Sequence, residues 1–186
     1  MPRTQIAPES DRQSTRDLLA RFAQNWPEVV SPESDIVLCL LRLNAIARAG
    51  TETVLKQHKL TPAAFEVLVT LRSMPAGQAL TPTELYRANL LSSGGLTKVL
   101  HTLENRKFIS IVSNKSDGRS KKIKLSVAGQ KLVEGAALEV ASQDRGLFDG
   151  NMGRAKLHQL RDMLLDVLTG VERDQRLQTT GKEHAA

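Results

Sequence analysis

The side chains best suited to chemistry in this sequence are the basic ones between Lys98 and Lys131. This stretch holds nine Lys and Arg but only two acidic residues, a net charge of +7, whereas the rest of the chain carries −1. Concentrated positive charge favours a polyanionic partner, because it attracts phosphates and releases their counterions. The sequence therefore predicts binding to nucleic acid first and to a membrane surface second.

A helix-turn-helix is predicted around the start of the basic stretch. Thr81 and Glu84 have the spacing of a capping box, which begins a short helix to about residue 88. A second helix is predicted for residues 93–106, with a buried side formed by Leu96, Val99, Leu100 and Leu103. The opposite side suits the major groove, and amides at the helix start suit a phosphate. The DNA contacts predicted on this helix are Ser92, Ser93, Gly94, Thr97, Lys98 and His101, with Thr102 on the same face.

A β-hairpin is predicted to follow as a second DNA contact. Residues 108–113 have the β-branched density of a strand, residues 122–126 alternate, and residues 114–121 form a long polar loop. Arg119 stands at the loop tip, where Asp117 can orient its guanidinium and where it suits a narrow minor groove. The lysines predicted to flank phosphates are Lys115, Lys121 and Lys122. Together the order predicts a winged helix-turn-helix.

The remaining sequence predicts helices, so the fold class is mainly α, an α+β winged helix-turn-helix with a helical dimerisation region. Further helices are expected at residues 14–25, 32–56, 61–73, 127–145 and 154–173. We divide the chain into an N-terminal extension (1–30), dimerisation helices (31–60 and 127–173), a DNA-binding domain (61–126) and a polar tail (174–186). The helix predicted at residues 32–56 is apolar on more than one side, which indicates burial on two sides, as at a dimer interface.

Composition excludes several other classes. Among 186 residues there are only six aromatic ones, which disfavours an aromatic-rich β-sandwich. A single cysteine cannot form an internal disulfide, the N-terminus lacks the pattern of a signal peptide, and no apolar run is long enough to span a bilayer. The four histidines lack metal-ligand spacing, and no phosphate loop or nucleophile elbow occurs. We expect a cytoplasmic protein that is not an enzyme and carries no cofactor, no metal and no membrane contact.

Several motifs in this order resemble the MarR family of transcriptional regulators. They are Leu80-Thr81-Pro82-Thr83-Glu84-Leu85, Leu91-Ser92-Ser93-Gly94-Gly95-Leu96-Thr97, Asp117-Gly118-Arg119-Ser120 and Leu125-Ser126-Val127-Ala128-Gly129. The similarity covers about residues 36–172. It implies a homodimer with intertwined terminal helices that binds a pseudo-palindromic operator on double-stranded DNA. It also implies a repressor relieved by a small phenolic or aromatic acid, or by oxidation. Val127 and Lys107-Phe108 depart from the residues usual in the family, and Lys107 lacks the easy helix end of a glycine.

The added N-terminal helix is similar to that of the urate-responsive branch of this family. That resemblance implies a ligand site with a tryptophan, matched by Trp26, and an acid, approximated by Glu66. The two arginines of that site fall on Val99 and Ile111, so a urate anion would lose its cationic partners. We therefore place the ligand pocket only by position, at Trp26, Arg42, Phe65 and Glu66. The alternative for Trp26 is packing of the added helix.

Cys39 supports a thiol-based redox sensor as an alternative, because it lies near where peroxide-sensing members of the family carry their reactive thiol. The competing interpretation is a small buried residue in the apolar run Val37-Leu38-Cys39-Leu40-Leu41, which would be inert. The winged fold itself also allows two different functions. It could belong to an effector-independent DNA-architectural protein with the same helix pair and wing, or to a protein-interaction module that does not bind DNA.

Overall fold

A computed structural model describes residues 13–75, 77–88, 93–114 and 117–183. Their helices are α1 (Thr15–Asn25), α2 (Pro32–Gln57), α3 (Pro62–Ser73), α4 (Pro82–Ala88), α5 (Ser93–Asn105), α6 (Val127–Phe148) and α7 (Arg154–Glu183). A single 3-10 turn, Pro27–Val29, joins α1 to α2, and two antiparallel strands, β1 (Ile109–Asn114) and β2 (Asp117–Leu125), separate α5 from α6. The mainly helical fold with a two-stranded wing is the one predicted.

The helix starts follow the local signals in the sequence. The Ser31 hydroxyl accepts a hydrogen bond from the backbone N–H of Ser34 at the start of α2, and the Thr61 hydroxyl accepts one from Ala64 at the start of α3. Both helices have Pro at their first position, where the missing N–H has no helical partner to lose. These helices therefore begin within a residue of the predicted positions.

Two predicted element ends are wrong. The polar segment assigned to a long wing loop is mostly strand, because β2 begins at Asp117 and pairs Lys121 with Ser113 and, across a bulge, Asp117 with Asn114. Side-chain alternation disappears where a hairpin extends beyond the core, although its backbone pairing continues. Helix α7 continues past the predicted end at residue 173 to Glu183. The apolar spacing that predicts the helix ends near Val171, so the sequence pattern does not indicate this continuation.

The chain divides into two compact units, Met1–Val140 and Ala141–Ala186. The core of the first unit is made by the end of α2, helices α3, α4 and α5, the hairpin and the first turns of α6. Its most deeply buried side chains are Leu55, Val67, Leu68, Leu85, Leu103, Ile123 and Val133. This core fixes α5 and the hairpin to each other. The division into functional domains made from the sequence stays a prediction.

Most of α2 lies outside this core. Only Val54 and Leu55 of its residues are buried, and its first turns expose large apolar side chains, among them Ile36 (57%), Val37 (55%) and Leu41 (61%). In the second unit α7 likewise exposes Leu165, Val167, Leu168 and Val171. Such exposure is typical of a surface that meets another protein.

Candidate nucleic-acid interface

Helix α5 has a buried side and a solvent side. Leu96, Leu100 and Leu103 are buried and Val99 is half-buried against the core. The solvent side exposes Thr97, Lys98, His101, Thr102 and Asn105. This arrangement confirms the predicted amphipathic pattern. It leaves a helix face without large apolar groups, narrow enough for a major groove about 12 Å wide.

Hydrogen bonds organise this solvent side. The Thr102 hydroxyl donates to the Lys98 backbone carbonyl at 2.9 Å, one turn earlier. Asn105 Nδ2 lies 3.2 Å from His101 Nδ1, also one turn apart. Asn105 was not among the predicted contacts, although its four-residue spacing from His101 is visible in the sequence.

The helix before α5 begins with the predicted capping box. The Thr81 backbone N–H donates to Glu84 Oε2 at 2.7 Å, and the Thr81 hydroxyl accepts from the Glu84 N–H at 3.2 Å. The hydrogen bond from the Thr81 backbone, then that from its hydroxyl, holds the pKa of Glu84 below its ordinary value, and the positive charges of Lys122 and Arg87 lower it further. Glu84 therefore lies within the electrostatic reach of a wing lysine.

The end of α5 is fastened to the loop between α2 and α3. Arg106 donates from Nη1 to the Lys59 carbonyl at 2.6 Å, and its guanidinium carbon stands 4.7 Å from the centre of the Phe108 ring. Lys107 ends the helix with a φ of +60°, a conformation that glycine adopts more easily. The position noted in the sequence as lacking a glycine is thus a left-handed helix end.

The hairpin turns one face to the core and the other away from it. Ile109 and Ile123 are buried, and the backbones of Leu80 and Ile123 exchange hydrogen bonds of 2.7 and 3.0 Å. Strand alternation puts Lys122 and Lys124 on the other face, where Lys122 pairs with Val112. Lys122 is half-buried, and Lys121 and Lys124 are exposed.

For the remaining predicted DNA contacts, the structure describes either the backbone alone or nothing. Ser92 and Lys115 lie outside the described residues. Ser93 and Gly94 form the first turn of α5, while Asp117 and Arg119 lie in β2, and for these four the structure describes only the backbone. The contact of the Arg119 guanidinium with a minor groove stays a prediction.

The predicted ligand residues lie on three elements. Trp26 ends α1 and is 57% exposed, and Glu66 is exposed on α3, where Phe65 packs against the core. The Arg42 guanidinium on α2 donates to the Gln13 carbonyl at 2.6 Å and reaches the Thr15 hydroxyl at 3.4 Å, so these contacts tie it to the beginning of α1. The pocket stays a prediction.

A cavity that the sequence did not indicate lies in the second unit. It measures about 600 Å³ between the end of α6 and the beginning of α7. Its apolar lining is Phe148, Met152, Leu157, Leu160, Leu164 and Leu165, and its charged lining includes Arg145, Arg154 and Arg161. Trp26, Arg42, Phe65 and Glu66 do not line it.

Cys39 is exposed, so the expectation that it is buried in its apolar run is wrong for the single chain. Its neighbours Val37, Leu40 and Leu41 are exposed as well, so this side of α2 is open within the part of the chain that the structure describes. Whether the thiol reacts as a sensor stays a prediction.

Two structural features bear on membrane and metal binding. Across the described ranges, no helix is long and apolar enough to cross a membrane. In the same ranges, no group of three or more His, Cys, Asp or Glu side chains is arranged to hold a metal ion.

Comparison with known proteins identifies similar chains. A model of the MarR family matches residues 58–120. The HTH-type transcriptional regulator PecS of Dickeya dadantii (strain 3937) is 24% identical over 148 residues, which cover 80% of this chain and 89% of PecS.

Two solved structures share the fold. Wild-type MarR from E. coli in its apo form has a TM-score of 0.62 at 21% identity, covering 75% of this chain and 98% of MarR. Bordetella bronchiseptica BpsR has a TM-score of 0.63 at 21% identity, covering 74% of this chain and 96% of BpsR. The BpsR structure concerns the mechanism by which 6-hydroxynicotinic acid regulates DNA binding by BpsR.

Proposed function

We propose that this chain, which carries a winged helix-turn-helix of the MarR family of transcriptional regulators, is a homodimeric repressor that binds a pseudo-palindromic operator. The observation that supports this most directly is the solvent side of α5. It is polar, exposed and held by the same core that fixes the basic hairpin. The proposed activity is DNA binding in the cytoplasm rather than catalysis, and the relatives found are named as regulators.

In the proposed complex the two elements have separate roles. Helix α5 enters the major groove, where Thr97, Lys98 and His101 face the bases and phosphates. The wing follows the backbone, with Lys121 and Lys124 exposed to it and Arg119 reaching the adjacent minor groove. Most of the excess positive charge of the chain then lies beside phosphates.

Dimerisation is proposed from the uncovered apolar side chains of α2 and, separately, of α7. Ile36, Val37, Leu40 and Leu41 expose between 40% and 61% of their surface in the single chain. Covering them in a dimer would remove apolar area from water at about 25 cal/mol per Å². The proposed two-fold dimer must hold its two recognition helices about 34 Å apart for them to enter successive major grooves.

The proposed effector is a small aromatic or phenolic acid, and the regulation described for BpsR supports this ligand class. It would bind near Trp26, Arg42, Phe65 and Glu66 and favour a dimer whose helix spacing no longer fits DNA. Changing occupancy from nearly complete to nearly absent requires about 5.5 kcal/mol of differential affinity between the two states.

Fluorescence anisotropy with labelled duplexes tests this function. The full-length protein is titrated with the DNA upstream of its own gene and with a shuffled duplex of the same composition. A regulator prefers the upstream DNA, and the preference survives added salt while both affinities fall. Equal affinity for both duplexes would contradict the regulator and support a DNA-architectural protein.

The effector is tested separately by thermal shift with a panel of aromatic acids. A ligand present at 100 times its dissociation constant stabilises the folded protein by about 2.7 kcal/mol. The same ligand must weaken DNA binding in the anisotropy assay. A ligand that stabilises the protein and leaves DNA binding unchanged would argue against a ligand-relieved repressor.

A further inference from the structure

The contact between His101 and Asn105 determines what the imidazole can offer to a ligand. Both side chains are exposed on the solvent side of α5, one turn apart, with Asn105 Nδ2 3.2 Å from His101 Nδ1. The structure places the Asn105 amide nitrogen, which is only a donor, towards Nδ1, so in this arrangement Nδ1 accepts the hydrogen bond and the ring N–H is on Nε2.

This tautomer turns His101 into a directional donor. The opposite tautomer, with its N–H on Nδ1, would set two donors against each other in this arrangement. With Nδ1 occupied, the nitrogen left for a partner is Nε2, and it can only donate. The neighbouring Thr102 hydroxyl donates to the Lys98 carbonyl, so its proton is engaged within the helix.

We propose that His101 determines base specificity by donating from Nε2 to the N7 of a purine, with guanine preferred, and that Asn105 is the positioning residue that holds the required tautomer. The inference rests on the proposed function, because it assumes that α5 enters the major groove.

Major-groove chemistry selects the base. Guanine presents two adjacent acceptors, N7 and O6, whereas adenine presents one acceptor beside an amino group that repels a second donor. Cytosine presents its amino donor, which an Nε2–H cannot bind, and thymine presents a single acceptor beside a methyl group. A lone donor therefore prefers guanine, tolerates adenine and rejects cytosine.

The first experiment locates the base. Binding sites are selected from randomised duplexes with the full-length protein and with His101→Ala, which removes an exposed side chain and leaves the core untouched. The wild type selects a purine, mostly guanine, at one position of each half-site. His101→Ala loses the preference at that position and keeps the preferences elsewhere in the half-site.

The second experiment identifies the atom. At that position in one half-site, guanine is replaced by 7-deazaguanine, which lacks N7 and keeps the Watson–Crick pairing. The wild type loses about 5- to 10-fold in affinity, the weight of one neutral hydrogen bond, and His101→Ala loses nothing. The matched control Thr102→Ala, on the same face of the helix, retains the full 7-deazaguanine penalty.

Variants of Asn105 test the positioning role. Asn105→Leu keeps a similar volume without a donor to Nδ1, so the 7-deazaguanine penalty shrinks although His101 is present. Asn105→Gln, whose amide can still reach Nδ1, restores the penalty. A merely structural role for Asn105 would change the affinity for both duplexes equally and leave their ratio as in the wild type.

Three results overturn the proposal, and they can be told apart. Selection of cytosine opposite His101 would mean that the amide of Asn105 is exchanged and that Nε2 accepts. A 7-deazaguanine penalty that persists in His101→Ala would assign the N7 contact to another residue. A wild-type protein without preference at any base would refute the proposed function as well, whereas the first two results leave it standing.

Discussion

Gly129 in the first turn of α6 lies directly against the backbone carbonyl of Phe108, the residue before β1. A β-carbon built on Gly129 would overlap that carbonyl oxygen. The same oxygen accepts hydrogen bonds from the Ser126 N–H at 3.0 Å and the Ser126 hydroxyl at 2.9 Å, and the hydroxyl accepts from the Gly129 N–H at 2.9 Å. This junction joins the end of the recognition helix, the base of the wing and the start of α6.

Gly129→Ala is expected to lower the free energy of unfolding by about 1–3 kcal/mol, since the added methyl group must displace backbone rather than a flexible side chain. Urea denaturation measures the change. The matched control is Gly146→Ala in the same helix, where the β-carbon meets nothing within 4 Å. That control is expected to be neutral or to stabilise by up to about 1 kcal/mol, because alanine is the better helix former. Equal destabilisation by both variants would contradict the close approach.

Lys107→Gly is expected to raise the free energy of unfolding by about 1 kcal/mol, because Lys107 has a φ of +60° and glycine adopts this conformation without strain. Thermal denaturation monitored by circular dichroism measures the difference. The comparison variant is Lys56→Gly in the last turn of α2, where the backbone is helical and glycine costs about 1 kcal/mol. Opposite signs for the two variants support the left-handed helix end, and a loss in both would refute it.

Glu84 is expected to make the stability of the protein depend on acid pH. The hydrogen bonds from Thr81 lower the pKa of Glu84 in the folded state. The charged carboxylate therefore stabilises the fold fully at pH values above 4.5, the ordinary pKa of the group. This contribution is lost as the pH falls through the lowered pKa. Glu84→Gln keeps a capping residue but does not titrate, so its melting temperature should lie below that of the wild type near neutral pH and approach it in acid.

A second variant separates the two hydrogen bonds that lower the pKa of Glu84. Thr81→Val removes the hydroxyl and keeps the backbone N–H, which is the larger cause of the shift. In the Thr81→Val background, Glu84→Gln should therefore lower the melting temperature near neutral pH by less than it does in the wild type, although some loss should persist. A full-sized effect in that background would contradict the contribution of the hydroxyl.

Leu41→Glu is expected to shift the protein from dimer to monomer, because a charge at an apolar position that is 61% exposed in the single chain would have to be buried in the proposed dimer. Size-exclusion chromatography with light scattering measures the mass. The control is Val112→Glu, at a position that is 43% exposed on β1, within the winged domain and opposite Lys122. The thermal stability of the winged domain should survive both changes, and a Leu41→Glu protein that stays dimeric would remove α2 from the interface.

The sequence was sufficient to predict features that depend on residues within one turn of the chain or along one side of a helix. The capping box of Thr81 and Glu84 depends on residues three apart, and the buried side of α5 follows from the spacing of Leu96, Leu100 and Leu103. Both could be predicted because neighbours along the chain, rather than distant contacts, decide them.

The features that the sequence did not predict depend on contacts between residues that do not form one local pattern in the chain. Cys39 was expected to be buried because its neighbours are apolar, but burial depends on what packs against α2, and in the single chain nothing described covers it. The start of β2 at Asp117 depends on pairing with Asn114 rather than on its own side chains. The contact of Gly129 with the Phe108 carbonyl joins two residues far apart in the chain, which no local pattern indicates.

Arg119→Ala is expected to weaken operator binding and to relax any preference for A/T pairs near the outer parts of the site, since a guanidinium in a narrow minor groove responds to its negative potential. Anisotropy titrations at several salt concentrations measure both effects. If each of the two Arg119 side chains of the dimer neutralises one phosphate, the slope of log K against log salt becomes shallower by about 1.8. The charge-matched control is Arg173→Ala on α7, outside the winged domain, which should leave the slope and the preference unchanged. If Arg119→Ala binds as tightly as the wild type and with the same slope, the wing is not inserted in the groove.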